Sequence, residues 1–242
     1  LANHLPQGYS LPGIKKQQGF YDDNVLPHIR RNERVFVIIS DGLRYEIGEE
    51  LRGLLQGELR GAATLSYMQG VVPSTTKMGM TSLLPGANIE ITGRGDLVKD
   101  GINTEGTPNR QKILEKHNKQ AVAIRYEDMV EMKRADYKEA FEGGRLIYIY
   151  HNTIDAIGDH SATEREVFQA SEKALQELVQ LVRNLVNNVS ATNIYITADH
   201  GFIYRRSPLR ESDKVSKEEM DAIAEGRRYI LTTADGEPEG AL

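Results

Sequence analysis

The chain has 242 residues, of which 39% are hydrophobic and 27% are charged, and it carries a net charge of −5 and no cysteine. This composition is typical of a soluble globular protein with a sizeable core; it excludes disulfides and thiolate metal sites and argues against broad electrostatic binding to nucleic acid. No run approaches the roughly 20 apolar residues of a membrane helix, so we expect no membrane segment and a cytoplasmic location.

The first third of the chain predicts an arm followed by the start of an α/β domain. Residues 1–33 are rich in Pro, Gly and Gln, and we expect an irregular arm or the end of a preceding domain, with a short helix at 22–31. The continuous apolar run 35–40 predicts a buried parallel strand. Apolar residues at helical spacing then predict a helix over 43–57, and 62–68 has the composition of a second strand.

A group of hydroxyl side chains stands where the next helix should begin. Pro73 ends an apolar run, and Ser74, Thr75 and Thr76 follow it at the start of a helix predicted over 76–84. The first turn of a helix offers unpaired N–H groups that suit a phosphate oxygen. Ser and Thr are also ordinary N-caps, and this motif alone favours that structural role.

The remainder of the chain alternates helices and strands. Residues 87–110 are glycine-rich, and we expect a long excursion over the site without regular structure. The further predicted elements are helices at 111–118, 128–141 and 211–225, strands at 121–126, 146–150, 193–197 and 228–233, and a long helix through 185 that opens on a capping box at 161–164. Alternation of this kind predicts a mainly parallel sheet with helices on both faces.

Acidic and imidazole side chains follow three of the predicted strands. Asp41 follows the first strand, Asp155 and His160 follow the strand at 146–150, and Asp199 and His200 follow the strand at 193–197. The carboxyl ends of parallel strands meet at one edge of a sheet, so these side chains should gather there. Oxygen and imidazole ligands together suit a divalent metal such as zinc or manganese.

The order and spacing of these motifs resemble the alkaline phosphatase superfamily, and within it the PglZ domain. The resemblance rests on Asp41-Gly-Leu-Arg-Tyr45, Pro73-Ser-Thr-Thr-Lys-Met78 and Thr197-Ala-Asp-His-Gly-Phe202, with Asp155 and His160 between them, and covers about 34–204. PglZ domains occur in phage-defence systems of the BREX type and in some bacterial response regulators. Superfamily members hydrolyse or transfer phosphate and sulfate groups.

The resemblance implies a pair of metal ions, usually zinc, with manganese or magnesium as alternatives. One ion would be held by Asp41, Asp199, His200 and the nucleophilic threonine. The nucleophile of the family lies three residues after the proline, which selects Thr76 over Thr75.

The second ion of the family would be held by Asp155, His160 and a later histidine. No histidine follows position 200, so we expect this second site to be incomplete and the domain, 34–242, to be truncated at its C-terminal end. The spacing from Asp155 to His160 is one residue longer than the common Asp-x-x-x-His, which leaves Asp159 and His160 as alternatives for this ligand.

Two functions are consistent with these residues. The first is a metal-dependent phosphatase or phosphodiesterase domain of a phage-defence protein, acting through Thr76 on phosphate esters that include nucleotides or nucleic acid. The second is a catalytically incomplete assembly module that keeps the fold and one metal within a complex of other phage-defence proteins. Lys77 and Arg44 are candidate substrate contacts, although each could equally be a solvated cation. We expect His151 to support a ligand rather than to bind metal.

Overall fold

The computed structural model describes residues 11–58, 62–86, 88–158, 166–202, 222–226 and 229–232. Four strands in these residues form a parallel sheet: β1 (Val35–Ser40), β5 (Ala121–Arg125), β6 (Leu146–His151) and β7 (Ile194–Thr197). Their order in the sheet is β5–β6–β1–β7. Each of them was expected from an apolar run, and all four predictions are confirmed within one or two residues.

The described residues also contain helices and two small antiparallel units. The helices are α1 (Leu26–Arg30), α2 (Tyr45–Glu58), α3 (Thr76–Ser82), α4 (Thr107–His117), α5 (Arg134–Ala140), α6 (Thr153–Gly158) and α7 (Val167–Val189). The antiparallel strands are β2 (Glu90–Ile91), β3 (Leu97–Lys99) and β4 (Ile102–Asn103), and the pair β8 (Ala222–Gly226) and β9 (Tyr229–Thr232). None of the helices in the described ranges combines the length and apolarity that a membrane span requires.

The side chains of β1 alternate between two hydrophobic cores, one on each face of the sheet. Phe36 and Ile38 belong to a core that α2, α5 and α7 cover. Val37 and Ile39 belong to a second core that α3 and α4 cover. All four side chains are fully buried. The expectation of a parallel sheet with helices on both faces is therefore confirmed.

The outer edge of β5 is capped by a side chain of α4. The amide nitrogen of Gln111 donates to the carbonyl of Ala121 at 2.8 Å, and the N–H of Ala123 donates to Oε1 of Gln111 at 2.5 Å. One side-chain amide thus satisfies two outward-facing backbone groups of an edge strand, in place of a neighbouring strand.

The segment before β1 packs onto the sheet. It contains a 3₁₀ turn at Gln17–Gly19, a π-helical turn at Tyr21–Val25 and then α1. Phe20, Tyr21 and Val25 are buried in the second core. The expected short helix is present, while the proposed domain boundary at 33 stays a prediction.

Four predicted segments differ in the structure, and the first two are 62–68 and 87–110. Residues 62–68 form no strand, and beside them only Gln69 makes an isolated bridge, to Lys16. The side chains of 62–68 are exposed or half-buried, so the segment lacks the buried face that holds a strand in a sheet. The expectation of irregular structure over 87–110 was wrong, because β2, β3 and β4 form a sheet there whose Leu97 and Lys99 are buried.

The helix expected at 128–141 is shorter than predicted. A 3₁₀ turn covers Tyr126–Met129, and α5 begins only at Arg134. The helix expected at 211–225 was wrong in its described part, because Ala222–Gly226 is a strand that pairs with β9. The rest of that segment and the capping box at 161–164 lie outside the described residues.

Candidate metal centre

Three potential ligands meet at the carboxyl edge of the parallel sheet. Asp41 follows β1 directly, His200 follows β7, and Asp155 lies in α6 just after β6. Because β1 lies between β6 and β7, the ends of these three strands are neighbours. One ligand atom from each of Asp41, Asp155 and His200 lies within 4.8 Å of the others. The structure therefore brings Asp155 to the ligands that the resemblance assigned to the other metal.

Three oxygen atoms surround one nitrogen of His200. Its Nε2 lies 2.9 Å from Oγ1 of Thr76, 3.3 Å from Oδ1 of Asp41 and 3.5 Å from Oδ2 of Asp199. Its Nδ1 lies 2.9 Å from the carbonyl oxygen of Gly201, which can only accept. Nδ1 therefore donates, and in the neutral imidazole Nε2 keeps its lone pair for a proton or a cation.

The two aspartates present buried oxygens that no hydrogen bond satisfies. Asp41 is 3% exposed and Asp199 is 1% exposed. Oδ1 of Asp41 and Oδ2 of Asp199 each lack a hydrogen-bond donor, whereas Oδ1 of Asp199 accepts from the N–H of Gly42 at 3.2 Å. Buried unpaired carboxylate oxygens are costly unless a cation neutralises them. This donor set fits a divalent metal ion.

The charges of the site shift its proton affinities in the metal-free protein. Burial, together with the nearby Asp41 carboxylate, raises the pKa of Asp199 to about 8. Burial alone would lower the pKa of His200, but contact with Asp41 and the charge of Asp199 outweigh it and raise the pKa to about 9. In the absence of metal, protons therefore occupy positions that a cation would otherwise take.

The two threonines at the start of α3 have different roles. Thr75 is the N-cap: its backbone is extended, and its hydroxyl accepts from the N–H of Met78 at 3.4 Å. Thr76 is the first residue of the helix, and its hydroxyl faces His200. The capping role that the sequence left open for these hydroxyls belongs to Thr75, so Thr76 remains available to the site.

A close backbone approach brings α3 to the ligands. A Cβ atom on Gly79 would lie 2.5 Å from the carbonyl carbon and 2.9 Å from the Cα of Asp199, and closer still to the carbonyl oxygen. Only glycine fits this contact between helix and loop. Thr76 lies one turn before Gly79 on the same helix, so the contact sets the distance between Thr76 and the carboxylates.

A buried polar network supports the strand end beside the site. His151 is fully buried, with Nδ1 at 2.9 Å from Oγ of Ser40 and Nε2 at 3.0 Å from Glu177. Thr153 donates to the same carboxylate at 2.5 Å. The network joins the ends of β1 and β6 to α7 and holds the start of α6, which carries Asp155. The sequence indicated a supporting role for His151 but did not reveal Glu177. The one feature of the sequence that could have pointed to Glu177 is its position beside the apolar face of α7.

Both candidate substrate contacts engage protein groups. Nζ of Lys77 donates to the carbonyl of Gly95 at 3.0 Å and lies 3.5 Å from Asp96, which ties α3 to the turn between β2 and β3. Arg44 forms an ion pair with Glu46 and lies over the ring of Phe202 at 5.0 Å. Contact of either cation with substrate stays a prediction. His160 and its alternative Asp159 lie outside the described residues.

Comparison with known proteins identifies relatives over most of the chain. The model of the BREX system PglZ alkaline phosphatase-like domain matches residues 20–242. The alkaline phosphatase-like protein PglZ of Bacillus cereus (strain H3081.97) is 44% identical over 242 residues, which is 100% of this chain and 28% of that protein. The alkaline phosphatase-like protein BrxZ of Escherichia coli O9:H4 (strain HS) is 38% identical over 236 residues, 95% of this chain and 27% of that protein. The chain thus spans little more than a quarter of the length of these relatives.

Proposed function

This chain belongs to the PglZ family of BREX alkaline phosphatase-like domains, and from that premise we propose that it hydrolyses phosphate esters with Thr76 as nucleophile and a divalent metal ion as cofactor. One observation carries the proposal: the hydroxyl of Thr76 and two buried carboxylate oxygens lie within 3.5 Å of the same nitrogen of His200. This is the donor set of a metal site with a nucleophile beside it.

The protein side chains divide the work of such a reaction. Asp41, Asp199 and His200 would hold the ion, which when bound supplies positive charge to the phosphate oxygens and lowers the pKa of a neighbouring hydroxyl. The N–H of Gly42 orients Asp199 so that Oδ2 faces the site. Oγ1 of Thr76 loses its proton to solvent and forms the new bond to phosphorus while the bond to the leaving group breaks. Water then cleaves the phosphothreonine, which releases the phosphate and restores the hydroxyl.

The proposed metal is zinc, with manganese or magnesium as alternatives, and the proposed substrates are phosphate esters that include nucleotides or nucleic acid. Hard carboxylate oxygens together with one imidazole suit each of these cations. The family model that matches this chain describes a domain of the BREX system, which supports other phage-defence proteins as partners in the cytoplasm. The catalytic unit proposed is residues 34–242.

A second candidate is an assembly module that keeps the fold and one metal. It is favoured by the contacts of the other described histidines. His28 contacts Glu33 and Tyr195, His117 contacts Asp100, and His151 is enclosed by Ser40 and Glu177. In the described ranges, therefore, no further imidazole completes a second site around Asp155. Metal analysis of the full-length protein separates the candidates: two bound ions per chain support the enzyme, and one ion without hydrolysis supports the module.

Substitution of the two threonines tests the nucleophile. Thr76→Ala in the full-length protein should abolish hydrolysis of a phosphodiester with a chromogenic leaving group, while Thr76→Ser should keep part of it because the hydroxyl remains. Thr75→Ala is the matched control: it should lower the free energy of unfolding by about 1 kcal/mol through loss of the N-cap and leave turnover nearly unchanged. Wild-type turnover in Thr76→Ala, or its loss in Thr75→Ala alone, would contradict the assignment.

A further inference from the structure

One buried polar side chain outside the ligand set reaches the metal centre from the start of the chain. Gln17 lies in the 3₁₀ turn before α1 and is 2% exposed. Its position precedes residue 20, where the match to the family begins. A long polar side chain is buried in this way only when its amide is fully hydrogen-bonded.

The amide of Gln17 joins two loops of the site. Its Nε2 donates to the carbonyl of Ala198 at 3.1 Å and to the carbonyl of Asp199 at 2.5 Å. Its Oε1 accepts from the N–H of Val71 at 3.1 Å. Both of its N–H groups and its oxygen are therefore used, and all three partners are backbone groups.

These partners belong to the segments that carry the ligands and the nucleophile. Ala198 and Asp199 lead from β7 to His200, while Val71 leads through Pro73 to Thr76. The Asp199 carbonyl that Gln17 binds is also the group against which Gly79 of α3 packs. The Asp199 carbonyl thus contacts both Gln17 and α3, the helix that carries Thr76.

The turn that carries Gln17 is itself anchored to the same region. The N–H of Gln17 donates to the carbonyl of Gln69 at 2.9 Å, and the N–H of Gln69 donates to the carbonyl of Lys15 at 2.7 Å. These two backbone hydrogen bonds fix the turn beside Val71, so the backbone of Gln17 is anchored while its side chain reaches the two loops. Movement of the turn would move both loops.

We propose that Gln17 is a positioning residue of the metal centre, which sets the distance between the Asp199–His200 ligands and Thr76; this role rests on the proposed metal-dependent function. Glutamine suits the position because it is neutral and offers two donors and one acceptor from the same planar group. A carboxylate there would face two carbonyl oxygens without a proton to donate, and a shorter side chain would leave all three backbone groups unsatisfied.

The test measures zinc affinity and turnover in the full-length protein together with thermal stability in chelator. We expect Gln17→Ala to weaken zinc binding by about 10- to 100-fold, as is usual when a group that orients a ligand is lost, and to lower kcat. Gln17→Glu should lower zinc affinity and kcat further than Gln17→Ala does. Gln18→Glu, which makes the same charge change at the exposed neighbouring position, should leave both quantities unchanged. If Gln17→Ala does not fold, Gln17→Met, which keeps the length of the side chain, takes its place.

The outcomes separate this inference from the function on which it rests. If wild type binds zinc and hydrolyses the diester, but the Gln17 variants lose only thermal stability and keep affinity and kcat, Gln17 is a structural residue and the inference is overturned. If wild type itself binds no divalent metal, the proposed function fails and the positioning role fails with it.

Discussion

The contact between Gly79 and Asp199 allows a mutation whose effect can be worked out from distances. In Gly79→Ala the new Cβ would lie 2.5 Å from the carbonyl carbon of Asp199. Carbon atoms in van der Waals contact lie about 3.5 Å apart, so α3 and the Asp199 loop must separate by about 1 Å. The neighbour is the backbone of Asp199, whose carbonyl is also bound by Gln17, so it cannot simply rotate away.

The separation should lower both stability and activity. Inserting a methyl group into a packed contact costs about 1–3 kcal/mol of unfolding free energy. A displacement of about 1 Å between Thr76 and the carboxylates should lower turnover by about 100-fold. Urea denaturation in chelator measures the first effect, and diester hydrolysis at saturating metal measures the second.

Gly53→Ala is the matched control for this experiment. Gly53 is also helical, within α2, and a Cβ there would meet no heavy atom within 4 Å. The free energy of unfolding of this variant should rise by about 0.5–1 kcal/mol, because alanine has a higher helix propensity than glycine, and its turnover should equal that of wild type. If Gly79→Ala has the same stability and turnover as Gly53→Ala, the contact between α3 and the Asp199 loop does not set the geometry of the site.

Two further predictions follow from shifted proton affinities. In metal-free protein, burial and the Asp41 carboxylate raise the pKa of Asp199 from 3.8 to about 8. Between pH 3.8 and about 8 the folded state therefore keeps a proton that the unfolded chain has released, so the free energy of unfolding should fall as pH rises through this range. Asp199→Asn should remove most of this fall, measured by urea denaturation in chelator, and should weaken zinc binding; an unchanged pH dependence would contradict the shift. Burial lowers the pKa of Lys99 from 10.5 to about 8. Between about pH 8 and pH 10.5 the unfolded chain therefore binds a proton that the folded state lacks, so Lys99 makes the free energy of unfolding rise with pH in this range. Lys99→Met should remove that contribution, on the order of 3 kcal/mol across the window, and identical slopes in the two proteins would exclude it.

The sheet and the core of the site could be predicted because their signals are local. Each strand of the parallel sheet is a short apolar run; Asp41 directly follows one of these runs, and Asp199 comes two residues after another. Parallel pairing then brings strand ends together without further information. The grouping of Asp155 with Asp41 and His200 could not be predicted in the same way, because it depends on how the chain turns from β6 into α6.

The parts that the sequence did not reveal depend on contacts between distant segments. Gln17 and Asp199 are far apart in the chain, and nothing in the polar residues around Gln17 marks it as buried. Gly79 has the appearance of an ordinary helical glycine until the Asp199 backbone is placed against it. The strand expected at 62–68 is absent for the converse reason, since its composition suits a strand but no strand among the described residues pairs with it.

The amide of Gln111 on the edge of β5 has a consequence for how this domain behaves at high concentration. An uncovered edge strand presents unpaired backbone N–H and C=O groups that can pair with strands of other molecules, which leads to aggregation. Here the Ala121 carbonyl and the Ala123 N–H are already occupied by groups that imitate a peptide bond. A foreign strand would have to displace Gln111 before it could pair in register. The side chain thus acts as a built-in inhibitor of sheet extension and protects the edge without the need for another strand.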